Sequence, residues 1–375
     1  MLDRLSRELE ALRAADQLRD LAIPTGIQLG SNDYLALSTH PRLKAAIRRA
    51  LEEDERVSST GSRLLSGNHE RWESLEVEFA RFIGADAALY FPSGYSANIG
   101  LLSALLRRGD VVFSDAANHA SLIDGIRLSH ARRIIVPHLD MDFLEHALSH
   151  ENSGRGERFG QRFVVVERIF SMEGDIAPLD ALLRLCERYG AWLIVDEAHS
   201  TGVLPAIERS AHLLATIHTC GKALASMGAF VAGSHTLRDF LINRARTFIF
   251  TTALPPYCAA HVHEAISLAA DANDERRHLF NLGQYLRDHL RPLGFDTGRS
   301  ESQIIPLVLG SNDAALRLAG ALSSSGFAVR AVRPPTVPAG TSRIRISLNV
   351  ALSIADIDLL LSALVAARET EVVRE

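Results

Sequence analysis

Cysteine is scarce in this chain of 375 residues: the three present, Cys186, Cys220 and Cys258, lie far apart. Such spacing gives neither a disulfide framework nor a zinc-ligand set, so a reducing, cytoplasmic setting is expected and a metal site is not. Long apolar runs are missing as well. No stretch of about 18 apolar residues occurs, so no membrane span is expected. The opening MLDRLSRELEALR alternates charge with leucine and has no apolar core of the kind a secretory signal needs. Neither sign of charge is in large excess, with 40 Lys and Arg against 45 Asp and Glu and a net charge of -5. That leaves no global electrostatic reason to bind nucleic acid or an anionic membrane, although local clusters could still take small anions. A G-x-G-x-x-G turn is absent, which argues against a nucleotide-binding oxidoreductase. Internal repeats and low-complexity tracts are absent too.

What remains is ordinary globular composition, 47% hydrophobic and 23% charged, in a length that suits two or three domains. Leu2, Leu5, Leu9 and Leu12 recur at helical spacing and predict an amphipathic helix over 1–19, a lid or dimer arm. Ser38 or Thr39 is placed to cap a following helix with Pro41 in its first turn. The middle of the chain alternates helical segments such as 178–189 with apolar runs. Those runs are AALYFPS, DVVFSDA, RRIIVPH, RFVVVERIF, AWLIVDEAH, ATIHTC, AFVAGS and TFIFTT. Alternation of this kind predicts an α/β domain with a mostly parallel buried sheet, whose ligands bind beyond the carboxyl ends of the strands. Residues 254–290 read as one long helix. After Gly294 the strands QIIPLVLG, FAVRAV and SRIRISLN, with helices over 313–324 and 353–367, predict a compact α+β domain. The division is therefore an N-terminal helical arm and short linker (1–38), a large α/β domain (39–290) and a small C-terminal α+β domain (291–375).

Four places carry chemistry. In AWLIVDEAHSTG an apolar strand ends at Asp196, followed by Glu197 and His199. A carboxylate there either caps the next turn or is held against a cationic group such as the pyridinium nitrogen of pyridoxal 5'-phosphate (PLP). In ATIHTCGKALASMGAF, Lys222 follows a strand among small, apolar residues. A poorly solvated lysine has a lowered pKa suited to Schiff-base chemistry, whereas most loop lysines are simply solvated. The lysine comes 26 residues after Asp196 (222 − 196), an order shared with PLP enzymes of the aspartate-aminotransferase type. In FPSGYSANIG a strand runs into a helix at Ser93-Gly94-Tyr95. Either this is a plain turn or the exposed N–H groups hold a phosphate, with Gly94 leaving room for it. In SDAANHASLIDG, His119 sits at a strand-to-helix junction, where an imidazole is structural or stacks on a pyridine ring.

Together these stretches resemble the α-oxoamine synthases, PLP-dependent acyltransferases of fold type I. The resemblance runs from about Leu12 to Leu364. SNDYLALS, TGSRLLSGNHERWESLE, NHASLIDG, IFSMEGDIAPL, VDEAHSTGVL, FIFTTALPP and RPPTVPAGTSRIRISL add to it, and the last points to the branch in biotin biosynthesis. The resemblance implies a large domain with a mostly parallel seven-stranded sheet and a small α+β C-terminal domain. It further implies that Lys222 is the Schiff-base lysine, Asp196 the partner of the pyridine nitrogen and His119 the stacking histidine. His199 and Ser171 are implied to lie near the phenolic oxygen. Gly94 and Tyr95 match backbone contacts to the cofactor, and Thr219 matches a phosphate-side hydroxyl. Thr251 and Thr252 match hydroxyls that reach the phosphate of a neighbouring subunit, hence a homodimer. Arg345 matches the residue that grips the amino acid carboxylate, and Thr336, Arg19 and Asn32 match substrate-side positions. The implied reaction joins L-alanine to a pimeloyl thioester of CoA or acyl carrier protein. Glycine with acetyl-CoA is the alternative pair, and a non-catalytic member of the fold is the alternative class. One departure is plain: the segment between Arg19 and Ser31 is shorter than the family's.

Overall fold

A computed structural model of the chain describes residues 1–150 and 160–372. In chain order the strands are β1 (Ile27–Gln28), β2 (Ala87–Phe91), β3 (Val111–Asp115), β4 (Arg132–Val136), β5 (Arg162–Glu167), β6 (Trp192–Asp196), β7 (Leu213–Thr219), β8 (Ala229–Gly233), β9 (Ile304–Gly310), β10 (Phe327–Ala328), β11 (Ala331–Val332) and β12 (Ser342–Ser347). Two compact units result. One comprises Leu35–Ser171 and Ile176–Asn273, the other Met1–Tyr34, Met172–Asp175 and Asp274–Glu375. Residues 373–375, the end of the C-terminal domain read from the sequence, lie outside the described residues.

The first unit holds the expected seven-stranded sheet, in the order β2-β8-β7-β6-β5-β3-β4. All neighbours pair in parallel except β8, which runs antiparallel to both β2 and β7. Side chains alternate between two packed faces, which is why these runs are apolar throughout. Phe163 and Val165 of β5, Ile194 of β6, and Ala215 and Ile217 of β7 pack with Ala97, Leu101 and Leu102 of the helix Gly94–Leu105. Val164, Val166, Leu193 and Val195 pack on the opposite face with Leu182, Leu185 and Cys186 of the helix Leu179–Tyr189. The same period of two carries polar residues to one place. Glu167, Asp196 and Thr219 close their strands on the face that the helix Gly94–Leu105 covers.

Several local expectations are corrected. TFIFTT forms a four-residue helix, Arg246–Ile249, and a bend. The reason lies in its two phenylalanines: Phe248 is 5% exposed and packs edge-on to Phe91, whereas Phe250 is 71% exposed. Residues two apart share a face in a strand but not in a helix. The predicted 254–290 helix is two, Pro256–Asp271 and Asn273–Leu290. At the following helix, Pro41–Glu53, the N-cap is His40 and not Ser38 or Thr39; its ring accepts from the Arg42 N–H, and Pro41 takes the first turn as expected.

In the second unit β12 lies between β11 and β9 in an antiparallel sheet, and β1 pairs in parallel with β10. The helix Asn312–Ser324 packs on β12, and Ile344 and Ile346 are fully buried. The N-terminal helix spans Leu2–Ala14 and buries none of its residues. It stops short of residue 19 because Asp16 takes a left-handed backbone conformation, φ 53°. No helix among the described residues is long and apolar enough to cross a membrane.

Candidate active site

The first unit gathers most of the candidate residues at the carboxyl ends of its strands. The helix Gly94–Leu105 begins there with a reciprocal cap: Ser93 Oγ accepts from the Ser96 N–H, and Ser96 Oγ from the Ser93 N–H. The cap leaves the N–H groups of Gly94 and Tyr95 without acceptors among the described residues, at the positive end of a helix dipole. A side chain at position 94 would stand 3.4 Å from Thr219 Oγ1, so glycine keeps the space between these donors and that hydroxyl open. Tyr95 is turned away, its phenol donating to Asp124.

Behind this helix end lies Asp196, buried at 5% exposure. Its Oδ1 accepts from the Ala198 N–H at 2.9 Å and its Oδ2 from Asn98 Nδ2 at 2.8 Å. Asn98 also donates to Ser121 Oγ at 2.9 Å, and that hydroxyl lies 2.8 Å from His119 Nδ1. Because His119 Nδ1 also accepts from the Ser121 N–H as the cap of the helix Ala120–Leu128, the neutral ring carries its proton on Nε2. Partial burial holds the imidazole below its ordinary pKa, with Asp196 opposing the shift and Lys222 adding to it. Asn98→Ala would strand Asp196 Oδ2 in a buried setting and leave Ser121 Oγ with His119 Nδ1 but without its donor. We expect it to destabilise the protein without bound cofactor by about 1–3 kcal/mol, read as a lower unfolding midpoint in urea.

Lys222 lies in the turn after β7. Its Nζ lies 2.6 Å from Nε2 of His199, and the imidazole is buried. A tight turn from 220 to 228 presents the lysine: the Cys220 N–H bonds Gly228 O, and the Ser226 N–H bonds Cys220 O. Gly228 is required because its φ is +81° and a Cβ would fall 2.0 Å from the Tyr90 hydroxyl. Ser171, buried, donates its N–H to Glu167 Oε2 at 3.1 Å. Thr251 stands on the bend after the short helix and Thr252 follows it, and among the described residues no hydrogen bond joins either to this cluster.

The remaining candidates belong to the second unit, in two groups. Arg345 Nη2 donates to Asn32 Oδ1 at 2.7 Å and lies 3.4 Å from the Tyr34 hydroxyl, while its buried Nε has no partner among the described residues. Burial pushes the Tyr34 phenol up to about 12, with Arg345 opposing. Arg19 Nη2 donates to Thr336 Oγ1 at 3.1 Å. Arg343 shares the strand face of Arg345 but is committed elsewhere: it bonds Glu173 at 2.7 Å and Met172 O at 3.1 Å.

Asn98, Ser121 and Glu167 were not singled out from the sequence. The burial of Asn98 and its bond to Asp196, 98 residues away, appear only in the fold. A signal that the sequence does hold is composition: Lys222 is one of only two lysines, the other being Lys44.

Residues 24–364 match the aminotransferase class I and II family. The chain is 42% identical to an 8-amino-7-oxononanoate synthase of Geobacter sulfurreducens, over 96% of both chains. It is 43% identical to another of Anaeromyxobacter dehalogenans, over 97% of this chain and 95% of that one. Among solved structures, Sphingomonas wittichii serine palmitoyltransferase superposes with a TM-score of 0.89 at 31% identity, covering 99% of this chain and 98% of that one. Another serine palmitoyltransferase, from S. paucimobilis with PLP and myriocin bound, has a TM-score of 0.88 at 28% identity over 98% and 97%. PLP is the group bound in that structure and in a further serine palmitoyltransferase structure. The residues present fit it: open helix N–H groups beside a threonine hydroxyl suit a phosphate, a buried carboxylate suits a protonated ring nitrogen, and a lysine faces them.

Proposed function

The chain belongs to the aminotransferase class I and II family and within it to the α-oxoamine synthases, PLP-dependent acyltransferases, and on that premise we propose that it condenses L-alanine with a pimeloyl thioester to give 8-amino-7-oxononanoate. Carbon dioxide leaves from the alanine carboxylate and the thiol carrier leaves from the acyl group. The observation that carries this reading is Lys222 Nζ held 2.6 Å from His199, in a unit where Asn98 links Asp196 to the residues that orient His119.

Bound PLP supplies an electron sink for the charge left when a bond to the amino acid Cα breaks. The protein does the rest. Lys222 would hold the cofactor, and its amine is the general base for the proton on the Cα of alanine. His199 sets the position of Lys222 Nζ. Asp196, oriented by Asn98 and Ala198, keeps a proton on the ring nitrogen. Thr219 and the amides of Gly94 and Tyr95 take the phosphate, and Ser171 serves the phenolic side. His119, whose proton sits on Nε2, donates to the thioester oxygen as it gains charge. Arg345 takes the alanine carboxylate, with Asn32 as its support, and Arg19 and Thr336 serve the acyl side. The test is thiol release, followed with L-alanine or glycine against pimeloyl-CoA or acetyl-CoA. Alanine with pimeloyl-CoA should turn over fastest. Faster turnover of glycine with acetyl-CoA would replace this reading with the glycine acetyltransferase one.

In this reading the chain acts as a homodimer with composite sites, because FIFTTALPP, which carries Thr251 and Thr252, resembles a segment that reaches the neighbouring subunit's phosphate. Mixing a Lys222→Ala chain with a Thr251→Ala/Thr252→Ala chain should give hybrids in which one of the two sites keeps every residue. Activity above both parents is expected. Proven subunit exchange without recovery would refute shared sites.

A further inference from the structure

Two carboxyl groups end adjacent parallel strands. Glu167 closes β5 and Asp196 closes β6, paired directly across the sheet and pointing to the same face. Both are buried, at 2% and 5% exposure. Two buried carboxylates on paired residues repel, which disfavours ionisation of both together. Their surroundings decide which of the two ionises. Asp196 receives a hydrogen bond on each oxygen, from Ala198 and from Asn98. Glu167 accepts the Ser171 N–H on Oε2 at 3.1 Å, and its buried Oε1 has no side-chain partner among the described residues.

We propose that Glu167 is a positioning residue that stays protonated at neutral pH, so that the strand ends present Asp196 as their single negative charge. The charged and titratable groups that face it are Asp196 from β6, Lys222 from the turn after β7, and His119 from the start of the helix Ala120–Leu128. Burial and Asp196 push the Glu167 carboxyl up to about 8, while Lys222 and the amides of Ser171 and His119 pull the other way. One negative charge matches one protonated ring nitrogen. A second would sit near Lys222, hold the proton on its Nζ, and so block it as a base. On this view ionisation of Glu167 sets the alkaline limit of the enzyme.

The sign of the linkage is fixed by that geometry. Ionisation is disfavoured in the folded chain and not in the unfolded one. The folded protein therefore keeps the proton from the ordinary carboxylate range up to about pH 8, and stability falls as pH rises through that window. Infrared spectra of the protein without bound cofactor test this independently of any substrate, so a failure of the proposed reaction would leave the result intact. Wild type minus Glu167→Gln should show one protonated-carboxyl stretch below neutral pH that disappears near pH 8. Glu167→Gln should also lose the fall in unfolding midpoint across that window and move the alkaline limb of kcat/KM to higher pH. A residue that merely packs would change the midpoint without moving the limb. Should Glu167→Gln not fold, the wild-type chain with 13C-labelled glutamate carboxyls gives the same titration. No protonated stretch below neutral pH, or one that persists unchanged through the window, would overturn the proposal, as would an unmoved alkaline limb in a folded Glu167→Gln.

Discussion

Lys222→Ala is expected to leave the fold intact, abolish covalent capture of PLP, and lower turnover by roughly 10²–10⁴-fold from the missing base alone. The side chain is half-buried on a turn whose backbone bonds do not involve its amine. Its loss therefore removes chemistry more than packing. The scarcity of lysine makes the measurement clean. Borohydride reduction of the loaded protein should fix the cofactor to a lysine, and only Lys44 and Lys222 exist. Lys44 is exposed on the helix Pro41–Glu53. The labelled peptide should contain Lys222, and Lys222→Ala should yield none. A label on Lys44, or full turnover by Lys222→Ala, would remove Lys222 from its role.

Arg345→Ala is expected to weaken L-alanine binding by about 2–5 kcal/mol, a loss of roughly 30- to several-thousand-fold, while PLP still binds. A guanidinium makes two parallel bonds to a planar carboxylate. Arg345 has donors to give, since Asn32 engages one nitrogen and the buried Nε is unpartnered among the described residues. Arg343 offers the contrast. Its bonds to Glu173 and Met172 are internal to the second unit, so Arg343→Ala should lower the unfolding midpoint and change alanine affinity little. Titration of both variants with alanine, followed by cofactor absorbance and paired with thermal melts, separates the two. If Arg343→Ala loses alanine affinity and Arg345→Ala does not, the assignments exchange.

The sheet was legible because its strands are buried on both faces, which leaves near-continuous apolar runs that end in polar residues. Asp196 and Lys222 could be picked out by that ending. TFIFTT was misread because alternation and a four-residue helix look alike over so short a stretch, and only the unequal burial of Phe248 and Phe250 separates them. The break at Ala272 is flanked by Asp271, Asn273 and Asp274, poor helix formers suited to an end and a new start, but the helical composition of 254–290 on either side masks so short an interruption. Asn98, Ser121 and Glu167 act through side-chain contacts between elements distant in sequence, Asn98 and Asp196 being 98 residues apart. No local pattern encodes such a contact. Arg343 and Arg345 shared a strand face on sequence grounds, but their separate partners emerged only from the fold.

The central claim is that this chain makes a carbon–carbon bond between the Cα of alanine and an acyl thioester while removing the alanine carboxylate. Carboxyl-labelled L-alanine with pimeloyl-CoA tests it most directly. The account predicts that label leaves as carbon dioxide in a one-to-one ratio with released CoA, and that unlabelled 8-amino-7-oxononanoate accumulates. Label retained in the product, or CoA released without an amino ketone, would contradict it.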